Sequence, residues 1–342
     1  MATYIFKNSL YFYPIKLILS LFLKWGGVML PAMVQVYDVC DMSLIYQEGA
    51  FQYSLPQKVL ESFLSGRAFD NLEKYTEDES FRVCADIREI FETILSLNPD
   101  RTPLAIMTAG APGAGKTTKM RRDLEEKKSL GKNFAYICPD DVCLKRQTRT
   151  YLRDIESSDG SKDARLAAYN KWRPASNAAT HLILANLIRE RYGFYFGTTS
   201  TGEAAGKFFE FLKRQGYRIA LIHISAPDSV RFASIQERDK SFIQTTEKDV
   251  VEKGLLLCQR IMDTYLKYAD SIEFYYRDGV EKEPELGAYW SRNFKEGKLG
   301  TLDIMSPFAY GRIKEIHDEA VACLGRPELF WSVTVEANSE IP

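Results

Sequence analysis

Gly110-Ala111-Pro112-Gly113-Ala114-Gly115-Lys116-Thr117 stands between a short apolar run, Leu104 to Thr108, and a polar stretch of helical character, Lys116 to Lys128. Its spacing is G-x-x-x-x-G-K-[ST], met by Gly110, Gly115, Lys116 and Thr117. A strand leading in and a helix leading out is the context in which that pattern has a mechanism. Glycines let backbone N–H groups turn toward an anion and let the anion approach closely. A helix starting near Lys116 aims its positive end at the same point. In such a loop the lysine reaches the β- and γ-phosphates and the threonine hydroxyl ligates Mg²⁺. The stretch therefore predicts a nucleoside triphosphate site over Gly110 to Thr118, with Mg²⁺ as cofactor and Thr117 as the metal ligand.

Outward from the loop, strands and helices alternate. Phe134 to Cys138, Phe194 to Phe196, Tyr217 to Ile224 and Ser271 to Tyr276 read as further strands. Pro174 to Arg191, with proline in its first turn, Glu203 to Gln215, Asp228 to Arg238 and Glu247 to Tyr268 read as helices. Strands separated by helices imply a parallel sheet covered on both faces. The predicted fold is α/β, a doubly wound parallel sheet of about five strands with helices on both faces. The expected divisions are an apolar segment at 1–33, a helical extension at 34–100, the kinase-like core at 101–282 and an extension at 283–342. Helices are expected at Pro56 to Ser65, Phe81 to Leu97 and Arg312 to Leu324.

Composition narrows the partners. The chain has 342 residues, 45% apolar and 27% charged, with a net charge of −1. That is the make-up of an ordinary globular protein with no basic field to hold nucleic acid. Six cysteines are scattered without a C-x-x-C pair, and three histidines show no metal spacing, so reduced thiols in a cytoplasmic protein are expected. Leu10 to Leu30 is apolar but interrupted by Lys16 and Lys24, too broken to span a bilayer. It reads as a membrane-touching amphipathic helix, a weak export signal, or sequence ahead of a natural start at Met29 or Met33.

In a parallel sheet, ligands sit beyond the carboxyl ends of the strands. The strand ending at Cys138 thus delivers Pro139, Asp140 and Asp141 near the γ-phosphate. A carboxylate there either holds Mg²⁺ or takes a proton from an acceptor hydroxyl; a helix-capping role is the alternative. The D-x-x-G and N-K-x-D patterns of a GTPase are absent from the sequence. The later strands end in Phe196-Gly197, Ser225-Ala226 and Arg277-Asp278. A motor ATPase usually ends a later strand in Asp-Glu, so a motor is disfavoured.

The order of Walker loop, Pro139-Asp140-Asp141, a Pro-x-Ser-Asn run at 174–177, Gly197-Thr198-Thr199, Ala226-Pro227-Asp228 and Asp278-Gly279-Val280 resembles the zeta-toxin family of kinases over about residues 100–282. That family has a P-loop kinase-like fold and phosphorylates UDP-N-acetylglucosamine, so the resemblance implies ATP as the nucleotide. The resemblance implies Asp140 as the base, Lys116 as the γ-phosphate contact and Arg238 as a lid arginine bracing the moving phosphoryl group. It places Ser176, Asn177, Thr198 and Thr199 at the acceptor, with Asp141 and His181 beside them. It also implies a small-molecule acceptor, nucleotide sugar or nucleotide, and an antitoxin or host protein as the macromolecular partner. The family's acid before Thr198 is replaced by Phe196-Gly197. His181 replaces an acid, and Ser241-Phe242 stand where a second lid arginine is expected. These departures predict a changed acceptor.

Overall fold

Residues 76–140, 148–240, 245, 247–293 and 300–323 are described by a computed structural model. The expected helix at Pro56 to Ser65, the segment Leu10 to Leu30 and Asp141 lie outside these residues. The first element is α1, Glu77–Ser96. A capping box opens it: the Thr76 hydroxyl accepts from the Glu79 amide, and the Glu79 carboxylate accepts from the Thr76 amide. Then follow β1 (Leu104–Ala109), α2 (Lys116–Ser129), β2 (Ala135–Ile137), α3 (Thr148–Glu156) and α4 (Lys162–Arg189). The chain continues through β3 (Phe194–Phe196), α5 (Glu203–Arg214), β4 (Arg218–Ser225) and α6 (Asp228–Arg238). Helix α7 (Glu247–Arg260) runs into a π-helical turn, Ile261–Tyr265, and a last α turn, Leu266–Tyr268. β5 (Ser271–Tyr276), β6 (Glu285–Arg292), β7 (Gly300–Ile304) and α8 (Pro307–Cys323) complete the described chain.

The sheet has seven strands in the order β2-β3-β1-β4-β5-β6-β7. The first five are parallel, and β6 and β7 add antiparallel to the β5 edge. The parallel five match the sequence expectation; the antiparallel pair was not foreseen. Alternate residues of β1 and β4 bury on opposite faces. Ala105, Met107, Ile219 and Leu221 join one core, while Ile106, Ile222 and Ile224 join the other. Burial on both faces is why these strands read as continuous apolar runs rather than alternating ones.

Helix α4 corrects another expectation. It begins twelve residues before Pro174, at Lys162, where the Ser161 hydroxyl caps it by accepting from Ala164 N at 3.1 Å. Proline within a helix forfeits one backbone bond. Here buried Trp172, Ala175, Ala179, Ile183, Leu184 and Leu187 hold the helix across that gap.

The topology positions the site. The connection leaving β1 runs to β2 on one side and that leaving its neighbour β4 runs to β5 on the other, so a crevice opens at their carboxyl ends. The phosphate loop leaves β1 at that switch point. No helix among the described residues is long and apolar enough to cross a membrane.

Candidate active site

The loop after β1 has the backbone its sequence requires. Gly113 has φ 81° and Gly115 φ 91°, values that strain any residue with a Cβ. At Gly113 a Cβ would lie 2.3 Å from the Arg231 carbonyl oxygen, so the loop also packs too closely for alanine. Gly115 caps α2 without a side-chain bond, and no acid stands in the first turn. That turn is an uncovered helix N-terminus of the kind that binds anions. The Lys116 ammonium folds back and donates to the Ala111 carbonyl at 2.8 Å. Burial pushes its pKa down to about 7, helped by the nearby Arg238 charge. Ala111 and Ala114 are buried and support the loop from beneath. Thr117 and Thr118 face the cleft.

Across the cleft, Asp140 follows β2. The Ser176 hydroxyl, fully buried on α4, donates to the Pro139 carbonyl and so fixes the chain just before Asp140. Arg173 Nε lies 3.0 Å from Asp140 Oδ1 and donates to the Tyr169 hydroxyl at 2.9 Å. Burial opposes the Arg173 charge, but Asp140 and Tyr169 outweigh it and hold the guanidinium pKa above its ordinary value. His181 sits further along α4, outside the cleft lining. Burial, with Arg173 second, pushes its pKa down to about 4, so it is neutral at neutral pH. Asn177 follows Ser176 on α4.

The turn after β3 is pinned to the end of β1. The Thr108 hydroxyl donates to the Thr198 carbonyl at 2.7 Å and accepts from the Thr198 amide at 3.0 Å. The Gly110 amide donates to the Thr199 carbonyl at 3.2 Å, and the Ser200 hydroxyl donates to the Thr108 carbonyl at 2.7 Å. From the other side Tyr265 OH donates to the Ser200 carbonyl at 2.8 Å and Arg260 Nε to the Thr201 carbonyl at 3.0 Å. The π-helical turn that carries Tyr265 thus braces one wall of the site, a frequent use of such turns. Gly197 has no room for the family's acid, because a Cβ there would meet Met120 Cε at 2.7 Å and Cys138 Sγ at 2.9 Å.

On the third side, Arg238 ends α6. It lines the cleft, pairs with Asp239 at 2.8 Å and donates to the Thr245 hydroxyl. The cleft is about 530 Å³ and brings together Lys116, Thr117, Thr118, Asp140, Thr198, Thr199 and Arg238. Ser176 and His181 are not on its surface.

Among the lining residues that escaped the sequence reading are Tyr169, Arg173, Lys253 and Arg277. Arg277, at the end of β5, donates to the Gly113 carbonyl and the Ser234 hydroxyl, both at 3.1 Å, and to the carbonyls of Val280 and Lys282. One guanidinium thus ties the phosphate loop to the turn that closes the far end of the cleft. Its place at the carboxyl end of a strand was a usable signal. Lys253 carried none.

No group of three or more His, Cys, Asp or Glu side chains that could hold a metal ion occurs among the described residues. The donor set fits Mg²⁺ nonetheless, because this ion binds through substrate phosphates, water and one or two protein oxygens. The Thr117 hydroxyl, exposed on the cleft, is the protein oxygen the loop offers.

The zeta toxin family model matches residues 88–265, more than half of the chain. The chain belongs to the zeta toxin family. That match spans the phosphate loop, Asp140, α6 and α7. Solved structures agree on the fold. The AvrRxo1-ORF1:-ORF2 complex is similar with a TM-score of 0.51 at 12% identity, over 70% of this chain and 73% of that one. The same complex with ATP gives the same values. The PezAT toxin-antitoxin system of Streptococcus pneumoniae is matched at 19% identity, with a TM-score of 0.44, over 60% of this chain and 79% of that one. No curated protein matches the chain. The cleft thus joins the phosphate loop to Asp140 and Arg173, with Gly197 in its lining and His181 outside it.

Proposed function

We propose that this zeta toxin chain is an ATP-dependent phosphotransferase acting on a hydroxyl of a small molecule, a nucleotide sugar such as UDP-N-acetylglucosamine or another nucleotide. One observation carries the reading: a phosphate-binding loop and a carboxylate, Asp140, line opposite sides of a single cleft. Mg·ATP would lie on Gly110 to Thr118, with Thr117 holding the ion and Lys116 leaving the Ala111 carbonyl to meet the β- and γ-phosphates. The ion that Thr117 would hold would supply charge neutralisation on the phosphate oxygens. The acceptor oxygen bonds to the γ-phosphorus as the bond to the β-phosphate bridging oxygen breaks. Its proton passes to Asp140, and ADP leaves. Arg238 faces the cleft where equatorial phosphoryl charge develops, and a guanidinium suits that charge. Thr198 and Thr199, held by Thr108 and Gly110, form the rim beside the acceptor. Asp141 and Asn177 belong to the acceptor side by the same family resemblance.

Family membership also supports an antitoxin as partner and a cytoplasmic setting where ATP is present. The test is γ-phosphate transfer from labelled ATP to a panel of nucleotides and nucleotide sugars by wild type, Lys116→Ala and Asp140→Ala. Transfer by wild type and its loss in both variants supports the reading. Undiminished transfer by Asp140→Ala removes Asp140 as the base. Mg·ATP binding without transfer, even into a whole-cell extract, favours a nucleotide-binding effector instead.

A further inference from the structure

The wall of the cleft beyond Asp140 belongs to α4. Tyr169 and Arg173 sit one helical turn apart there and face the cleft together. The Arg173 side chain is only 24% exposed, with Nε 3.0 Å from Asp140 Oδ1 and 2.9 Å from the Tyr169 hydroxyl. Its aim is therefore fixed before any ligand arrives. A planar guanidinium has several donor edges and can bridge a carboxylate on one edge and a phosphate on another.

The charge around the cleft points the same way. Among the described residues, its lining holds five cations, Lys116, Arg173, Arg238, Lys253 and Arg277, against two carboxylates, Asp140 and Glu237. Mg·ATP brings a net charge of about −2, which leaves a positive remainder. Lys116 and Arg277 flank the phosphate loop, and Arg238 and Lys253 come from α6 and α7. Arg173 is the cation on the acceptor wall, beside Asp140. An anion on the acceptor offsets the positive remainder there.

We propose that Arg173, with the Tyr169 hydroxyl beside it, is the specificity-determining residue of the acceptor subsite and takes a phosphate group carried by the acceptor near its reacting hydroxyl. The neutral end of the acceptor then lies against Thr198 and Thr199. This assignment rests on the cleft being a phosphotransferase site, so its test is a binding measurement that needs no turnover.

The full chain, saturated with Mg²⁺ and a non-hydrolysable ATP analogue, is titrated calorimetrically with matched pairs. These are UDP-N-acetylglucosamine against N-acetylglucosamine, and AMP against adenosine, with inorganic pyrophosphate as the minimal phosphate probe. Phosphate-bearing ligands are expected to bind and their neutral partners to bind at least about 10-fold more weakly. Arg173→Gln is expected to weaken the charged ligands by about 10- to 100-fold, and Arg173→Lys to restore part of that loss. Affinity for the ATP analogue serves as the folding control. Tyr169→Phe, which keeps the ring, is a second variant and should weaken the charged ligands by a few-fold. Equal binding of charged and neutral members, no binding of any charged probe, or wild-type affinity in Arg173→Gln overturns the assignment. Binding of the charged ligands without γ-phosphate transfer leaves Arg173 in place and instead refutes the phosphotransferase reading.

Discussion

Lys116 makes nucleotide binding depend on pH in a direction the geometry fixes. Its ammonium is buried against its own loop with Arg238 nearby, and burial pushes its pKa down to about 7. A triphosphate needs the charged form, and its negative charge raises that pKa again in the complex. Below pH 7 the lysine is already charged, so affinity is flat. Above pH 7 each bound nucleotide must bring a proton with it. The dissociation constant then rises about tenfold per pH unit, until the pKa of the complex is reached. Between pH 6 and pH 9 the loss is about 100-fold, or about 2.7 kcal/mol at about 1.36 kcal/mol per unit. Calorimetry with a non-hydrolysable ATP analogue in saturating Mg²⁺, repeated in buffers of different ionisation enthalpy, counts the proton directly. About half a proton should be taken up at pH 7 and nearly one at pH 8.5. Lys116→Met should bind weakly at every pH and take up no proton above pH 7. A flat affinity from pH 6 to pH 9 with no proton uptake in wild type would show that Lys116 is charged throughout, and the argument from its burial would fall.

Three further outcomes follow from single contacts. Gly113→Ala puts a Cβ 2.3 Å from the Arg231 carbonyl oxygen at φ 81°, so it should cost about 1–3 kcal/mol in thermal or urea unfolding and abolish tight ATP binding. Arg277→Ala releases the carbonyls of Gly113, Val280 and Lys282 and should raise the KM for ATP about 10-fold with kcat changed only a few-fold. His317 is buried beside Cys258 Sγ, at 2.8 Å, and the buried ring of His223, and its pKa is pushed down to about 4 chiefly by burial. A histidine kept neutral in the fold lets the unfolded chain gain protons first. The share of stability that His317 contributes should thus hold above about pH 6.5 and fall by about 2–3 kcal/mol as pH drops toward 4.5, with the buried His181 and His223 adding losses in the same direction. Urea titrations at the two pH values check this, and His317→Gln should show a smaller drop.

The phosphate loop was legible because its demands are local. Positive φ at Gly113 and Gly115, and an uncapped helix start at Lys116, are requirements of neighbouring residues in one short stretch. The five parallel strands were legible because burial on both faces leaves apolar runs such as Tyr217 to Ile224. β6 was not, because its inward positions are filled partly by Gly287 and Ala288, and Gly287 lies against the α8 backbone, 2.9 Å from Tyr310 N for a Cβ. Such small residues leave no alternation to read. Pro174 misplaced the start of α4 because a helix-start residue was weighed without the packing that carries the helix through it. The cations of the cleft were the least visible. Arg173 meets Asp140 across 33 positions of sequence, and Arg277 meets Gly113 across 164. Neither pairing has a local pattern.

The central claim is that Asp140 and the phosphate loop serve one transfer from two sides of one cleft. The most direct measurement is single-turnover transfer of labelled γ-phosphate by Asp140→Asn, with Mg·ATP affinity measured on the same preparation. The account expects ATP affinity within a few-fold of wild type and transfer slowed by about 10²- to 10⁴-fold. Transfer at the wild-type rate with ATP bound would contradict it.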